Sequence, residues 1–168
     1  GRRGLPQDVV FPPSVSSSQV MALIKSVKEE GGKVDAAKLA DDFGFDLKSM
    51  LPILDVAEML GLVTVNGGDV SLTDLGSRII KEGTSGFKLL KENISRIEPF
   101  KTALELTKKS GFVTSRQISE ALKQKGIIFS DDDEENESIV EAVLVHWAIY
   151  ANMLKYDGKT AVFSRTSN

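Results

Sequence analysis

The chain has 168 residues, room for one ordinary domain or two small ones, and its 41% hydrophobic and 27% charged content suits a packed globular core. It holds no cysteine, which excludes structural disulfides and thiolate metal sites, and a net charge of −3 offers polyanionic nucleic acid no global attraction. No apolar run reaches the roughly 20 residues that cross a bilayer.

Residues 1–18 carry three of the five prolines, Pro6, Pro12 and Pro13, and end in a serine cluster. Proline has no N–H to give to a ladder and restricts the residue before it, so this segment reads as a flexible linker or extended arm. Val9, Val10 and Phe11 are its side chains with something to pack. Gly1 stands where an initiator methionine would, so the sequence reads as a cut fragment and leaves open a partner domain before it.

Ser17 or Ser18 is expected to cap a helix through about Glu30, with Val20, Leu23, Ile24 and Val27 on one face and Gly31-Gly32 at its end. Val34 to Gly44 reads as a short helix capped by Asp35, with Ala37, Leu39, Ala40 and Phe43 inward. Asp46 caps a third helix, in which Leu51, Leu54, Val56, Met59 and Leu60 recur at helical spacing. Pro52 lies inside that pattern and predicts a bent or two-part helix.

Gly61 can stop the third helix in a left-handed cap. Val63 and Val65 then alternate with Leu62 and Thr64, and Val70 and Leu72 with Ser71 and Thr73. Between them Asn66-Gly67-Gly68-Asp69 has the chemistry of a tight hairpin turn. Thr73 caps a helical connector that runs to about Ser95. A helix running into a small hairpin is the core of a winged helix, a fold that narrows function to binding.

The second half repeats the order. Ile97 to Lys109 is a helix with Phe100, Ala103, Leu104 and Leu106 apolar, and Val113 to Gly126 parallels Val34 to Gly44. Ser138 to Ala151 is a third, strongly apolar helix. In its hairpin Asp157-Gly158 is the two-residue turn, and Leu154 and Tyr156 share a face with Ala161 and Phe163. The fold class expected is mainly α with small β-hairpins, a tandem of two winged helix-turn-helix units made by internal duplication. Its parts are an arm at 1–18, a first unit with its C-terminal helix at 19–86, and a second unit at 87–168.

Three segments, Leu51 to Ile79, Phe87 to Phe100 and Trp147 to Phe163, together resemble the AAA-associated C-terminal domain family. That family follows the ATP-binding cassette in some ATP-binding proteins of nitrate/sulfonate/taurine-type ABC importers, and also occurs as a separate archaeal chain. The resemblance implies an accessory, non-catalytic module tied to an ABC-type ATPase domain or chain. It places that module in the cytoplasm, reaching the inner face of the plasma membrane only through the transporter.

The ATP-binding loop itself is missing from the sequence. Gly83-Thr84-Ser85-Gly86-Phe87-Lys88 has the wrong spacing and no Ser or Thr after the lysine, so it reads as a joint. The run Asp131, Asp132, Asp133, Glu134, Glu135, Asn136, Glu137 lacks the alternate ligands and central glycine of a calcium loop. It reads as a solvated loop favouring the positive end of the helix after it, or as an acidic docking patch. The first third helix has Lys48 alone as a base, against Asp46, Asp55 and Glu58, which is poor equipment for reading base edges. Lys101, Lys108, Lys109, Arg116, Lys123 and Lys125 are basic residues read as exposed helix faces, or as a weak anionic contact surface.

His146, the sole histidine, stands in an apolar helix without a hydrolase or zinc-protease pattern. Trp147, Tyr150 and Phe129 read as core rather than as a base-stacking platform. No catalytic residue, cofactor or metal ligand is nominated, and the chain is expected not to be an enzyme. Candidate interaction residues are Asn66 and Asp69 on the first wing, Asp131, Asp132, Asp133 and Glu134 in the acidic run, and Lys108, Lys109 and Arg116 among the bases. The rival functions are a transcriptional regulator using one winged helix on DNA, and a homodimerisation module.

Overall fold

In a computed structural model, which describes residues 9–83 and 88–166, the first helix opens at Ser16 rather than at Ser17 or Ser18. The Ser16 hydroxyl accepts from the Gln19 backbone N–H at 3.1 Å while the Gln19 side chain accepts from the Ser16 N–H at 2.9 Å. This reciprocal box satisfies two donors that a helix start leaves orphaned, and fixes α1 at Ser17–Glu29. Residues 1–8 and 84–87, the latter holding most of the stretch Gly83 to Lys88, lie outside the described residues.

The unit Ser14–Asn93 continues with β1 (Lys33–Asp35), α2 (Ala36–Phe43), α3 (Leu47–Met59), β2 (Val63–Asn66), β3 (Asp69–Leu72), α4 (Asp74–Glu82) and α5 (Lys88–Ser95), which crosses into the next unit by two residues. Asp35 caps α2 as expected, but it starts the helix at Ala36 and so turns Ala36, Leu39 and Ala40 inward. Ala37 is therefore exposed, and Phe43 is half-buried, edge-on to Phe45 at 5.8 Å. Of the bent or two-part helix expected, the two-part form is not found: α3 runs as one helix through Pro52. Pro52 costs the Lys48 carbonyl one bond, and both residues face solvent, where water can replace it.

The hairpin β2–β3 turns on Gly67 and Gly68, both at positive φ, with Asn66 opposite Asp69. The three-residue β1 pairs with β3 and completes a three-stranded antiparallel sheet in the order β1-β3-β2. Nothing in the local pattern announces β1. It is made by pairing with residues about 35 positions away.

The second unit repeats the series as α6 (Phe100–Ser110), β4 (Phe112–Thr114), α7 (Ser115–Gln124), α8 (Asp133–Ala151), β5 (Leu154–Asp157) and β6 (Val162–Arg165), with sheet order β4-β6-β5. Helix α8 starts five residues before the expected Ser138, because Asp132 caps it through the Glu135 N–H at 2.9 Å. The acidic run is thus cap and first turn rather than a loop, and its charges oppose the positive end of the helix dipole. The final hairpin is wider than the two-residue turn expected. Asp157 pairs with Val162, and Gly158 to Ala161 form a four-residue loop in which the Asp157 carboxylate accepts from the Lys159 N–H at 3.0 Å. Ala161 consequently sits in the loop at φ 55°, not on the strand face with Phe163.

The unit boundary falls at Asn93–Ile94 rather than at 86–87. Asn93 is held to the first unit by its amide, which donates to the Leu60 carbonyl at 2.8 Å. The arm up to Pro13 belongs to the second unit, so its described part is not a free linker. Phe11 is fully buried there, stacked on Trp147 at 4.8 Å and edge-on to Phe100 at 5.8 Å.

Candidate protein-interaction surfaces

Helix α3 carries apolar residues on two faces. Met50, Ile53, Leu54 and Ala57 recur at three- and four-residue steps and fill the core of their unit. Leu47 and Leu51, one turn apart, lie on another face and remain 41% and 44% exposed. Phe45, just before the helix, is 38% exposed. The exposed charged residues near them in the sequence are Asp41, Asp42, Asp46, Asp55 and Glu58, against Lys38 and Lys48. Lys38 is occupied, with its ammonium 3.0 Å from Glu30 and 3.4 Å from Asp42. The hydrogen bond to Glu30 is the main cause that raises its pKa above the ordinary lysine value.

Asp46 fixes the start of this surface. Its carboxylate accepts from the Ser49 N–H at 2.8 Å, and hydrogen bonding from Ser49 holds its pKa below the usual aspartate value. A charged cap here orients the first turn of α3, and with it Leu47 and Leu51.

The wing residues Asn66 and Asp69 flank the Gly67-Gly68 turn in the same unit. Asn66 is exposed, and Asp69 is half-buried, 3.8 Å from the Lys33 ammonium. Asp131, Asp132, Asp133, Glu134 and Arg116 belong to the second unit. Arg116, Asp133 and Glu134 meet at a groove of about 290 Å³ between α7 and the start of α8, together with Lys123, Asn136 and Glu137. Asp132 is taken up as the α8 cap, while Asp131 is exposed beside it. Lys108 and Lys109 are exposed in the last turn of α6, where cations suit the negative end of the helix. They do not line that groove.

Three basic residues of the second unit stand in ion pairs with acidic neighbours. Arg116 lies 3.3 Å from Glu137 and Lys123 lies 3.1 Å from Asp133. Lys125 reaches Glu98 at 3.0 Å and Glu105 at 3.2 Å. Burial acts to lower the Lys125 pKa, but the hydrogen bonds to Glu98 and Glu105 outweigh it and raise it. Of the six bases read as exposed helix faces or as a weak anionic contact surface, Arg116, Lys123 and Lys125 are thus engaged in ion pairs.

His146 is exposed on α8, edge-on to Trp147 at 6.2 Å. Trp147 is buried, and Phe129 is half-buried with its N–H donating to the Asn136 amide oxygen at 2.7 Å. The Tyr150 side chain lies outside the described residues. Among the described residues no group of three His, Asp or Glu side chains could hold a metal ion, and no helix is long and apolar enough to cross a membrane.

Sequence reasoning missed Phe45, Leu47 and Leu51 as surface residues. A signal was present in the i, i+4 spacing of Leu47 and Leu51, offset from the buried series that begins at Met50. Compared with models of protein families, residues 37–157 match the C-terminal AAA-associated domain, which covers more than half of the chain. Searches of curated proteins and of solved structures gave no match.

Proposed function

The chain belongs to the C-terminal AAA-associated domain family, and on that premise we propose that it serves an ATP-binding cassette ATPase as a non-catalytic module that docks on protein. Each unit orders its elements as helix, short strand, helix, helix and hairpin, with the short strand on the second hairpin strand. This supports reading the chain as two winged helices in tandem. In such units the third helix and the wing are the usual contact surface, an analogy that comes from the fold alone.

The observation that carries the reading is the start of α3, where Phe45, Leu47 and Leu51 are exposed among acids. A helix entering a DNA groove needs cations against phosphate, and here Asp46, Asp55 and Glu58 outnumber Lys48. Exposed apolar side chains rimmed by charge instead suit a protein contact, in which the apolar centre is dehydrated and the rim sets orientation. The work of ATP hydrolysis falls to the partner, on the cytoplasmic side of the membrane.

The test is binding of the chain to the ATP-binding cassette polypeptide encoded with it, fused or on a neighbouring gene. Leu47→Asp with Leu51→Asp is expected to weaken that binding at least tenfold, about 1.4 kcal/mol, with an unchanged far-ultraviolet circular dichroism spectrum. Unaltered affinity would remove the α3 surface from the contact. ATP turnover by the purified chain would overturn the non-catalytic reading, and a salt-sensitive gel shift with duplex DNA would favour the regulator instead.

A further inference from the structure

We propose that the second unit contains a peptide-binding slot for an extended segment with one aromatic anchor, and that the chain's own arm, Val9 to Pro13, occupies it reversibly. This is independent of the α3 surface. Two backbone hydrogen bonds hold the arm to one residue: the Phe11 N–H donates to the Glu98 carbonyl at 2.9 Å, and the Glu98 N–H donates to the Val9 carbonyl at 2.7 Å. Between them Val10 makes a parallel bridge to Glu98. The Phe11 ring enters an aromatic pocket made by Trp147, 4.8 Å away and nearly parallel, and Phe100 at 5.8 Å. Main-chain pairing for affinity and one pocket for specificity is how extended peptides are recognised on protein edges.

The Glu98 side of the slot is held by the unit's own residues. The Glu98 carboxylate is buried and accepts from the Thr102 N–H and the Thr102 hydroxyl, both at 2.9 Å, and from the Lys125 ammonium at 3.0 Å. These bonds fix the position of the Glu98 backbone from α6 and the end of α7. The arm, by contrast, is anchored narrowly. Phe11 alone is fully enclosed, Val9 is 43% exposed, and Pro13 and Ser14 are exposed.

Covalently, the arm meets the rest of its unit only through the intervening residues 14–93, as a tethered ligand would. One aromatic side chain and two backbone bonds are set against the ordering entropy of the segment, contributions of similar size, which is the condition for exchange between docked and free states. Prolines 12 and 13 lower that ordering cost by restricting the free arm.

Trp147 is the sole tryptophan and reports the pocket directly. In the full chain carrying Phe11→Ala, acrylamide quenching of its fluorescence is expected to rise several-fold, with the helical circular dichroism retained. Adding a peptide of residues 7–16 should return the quenching to the wild-type value, saturating only at about millimolar peptide because a tethered contact near balance corresponds to that effective concentration, and the same peptide with Phe11→Ala should not. Loss of the folded circular dichroism in Phe11→Ala would make the arm an integral part of the core and overturn the proposal. Unchanged quenching, or a folded variant that the peptide does not rescue, would overturn it as well.

Discussion

The unit Ser14–Asn93 buries aliphatic side chains almost throughout, among them Leu23, Ile24, Leu39, Met50, Leu60 and Leu62, and its one buried polar residue among those described is Ser17. The second unit buries Phe11, Phe100, Trp147 and Phe163, and with them Glu98, Thr102, Thr107, Ser115, Ser119 and Asn136. One order of elements is thus held by two kinds of interior. An apolar core is specified by volume and shape. Where polar groups are buried among apolar side chains, as in the second unit, they are specified by their partners, and each lost partner leaves a group that burial penalises. The first unit should be broken by crowding and the second by deletion.

The sharpest form of crowding is at Gly76, the glycine of the Leu72-Thr73-x-x-Gly76 stretch. A Cβ there would stand 2.3 Å from the Leu62 carbonyl oxygen and 2.8 Å from Leu72 Cδ1. Backbone cannot step aside as a flexible side chain can, so Gly76→Ala should destabilise the first unit by roughly 3 kcal/mol or more. Chemical denaturation checks this, and a cost below about 1 kcal/mol would show that α4 can lift from the hairpin without penalty. Deletion comes next in size. Lys125→Ala leaves the Glu98 carboxylate buried with Thr102 as its remaining side-chain partner. Breaking a buried pair in this way costs about 3–5 kcal/mol, and partial exposure of Lys125 reduces the expectation to about 2–3. A Glu98→Gln change in the Lys125→Ala background should recover part of the loss, since the carboxamide can remain buried uncharged.

Much of the first unit is legible in its sequence because its signals are local. The Gly67-Gly68 turn, the Asp35, Asp46 and Thr73 caps and the alternation around Val63 and Val70 each depend on a few adjacent residues. The stretch from Leu72 to Gly76 is visible as a pattern, but its cause, the approach of α4 to the Leu62 carbonyl, belongs to tertiary structure. The strands β1 and β4 are invisible in the sequence because three residues acquire a ladder only from a distant partner. The ion pair of Glu98 with Lys125 spans 27 positions, and the docking of Phe11 on Trp147 spans nearly the whole chain. At the candidate surface, periodicity identifies α3 as a helix but does not tell which apolar face is covered. Leu51 therefore reads as core and stands exposed.

The two units should also part at high pH. Tyr156 donates its hydroxyl to Glu141 at 2.6 Å, and the Ser115 hydroxyl donates to the other oxygen of the same carboxylate at 2.9 Å. The bond to Glu141, then desolvation, then the charges of Glu141 and Asp157 push the Tyr156 pKa up from 10.0 to about 12. The folded unit therefore holds the phenolic proton more tightly than the unfolded chain. The corresponding stability is whole below pH 10 and is lost as pH rises from about 10 to about 12. Tyr156→Phe should cost about 1 kcal/mol at neutral pH, the worth of one hydrogen bond, and should flatten the alkaline decline. An unchanged decline in that variant would place the alkaline loss elsewhere.

The smallest expected effect separates local from tertiary contributions. Ser16 in the first unit and Thr114 in the second open their helices with the same capping box, each closed by a glutamine three residues on. A cap satisfies its own helix end, so Ser16→Ala and Thr114→Ala should each cost about 1 kcal/mol whichever interior lies beneath. Thr114, however, precedes Ser115, which is buried and bound to Glu141. If denaturation shows Thr114→Ala costing appreciably more than Ser16→Ala, the polar network of the second unit extends through the cap into the bond that Tyr156 shares. A double-mutant cycle of Thr114→Ala with Tyr156→Phe would then give a coupling energy well above the roughly 0.5 kcal/mol expected of independent sites. Equal costs and no coupling confine the difference between the units to their cores.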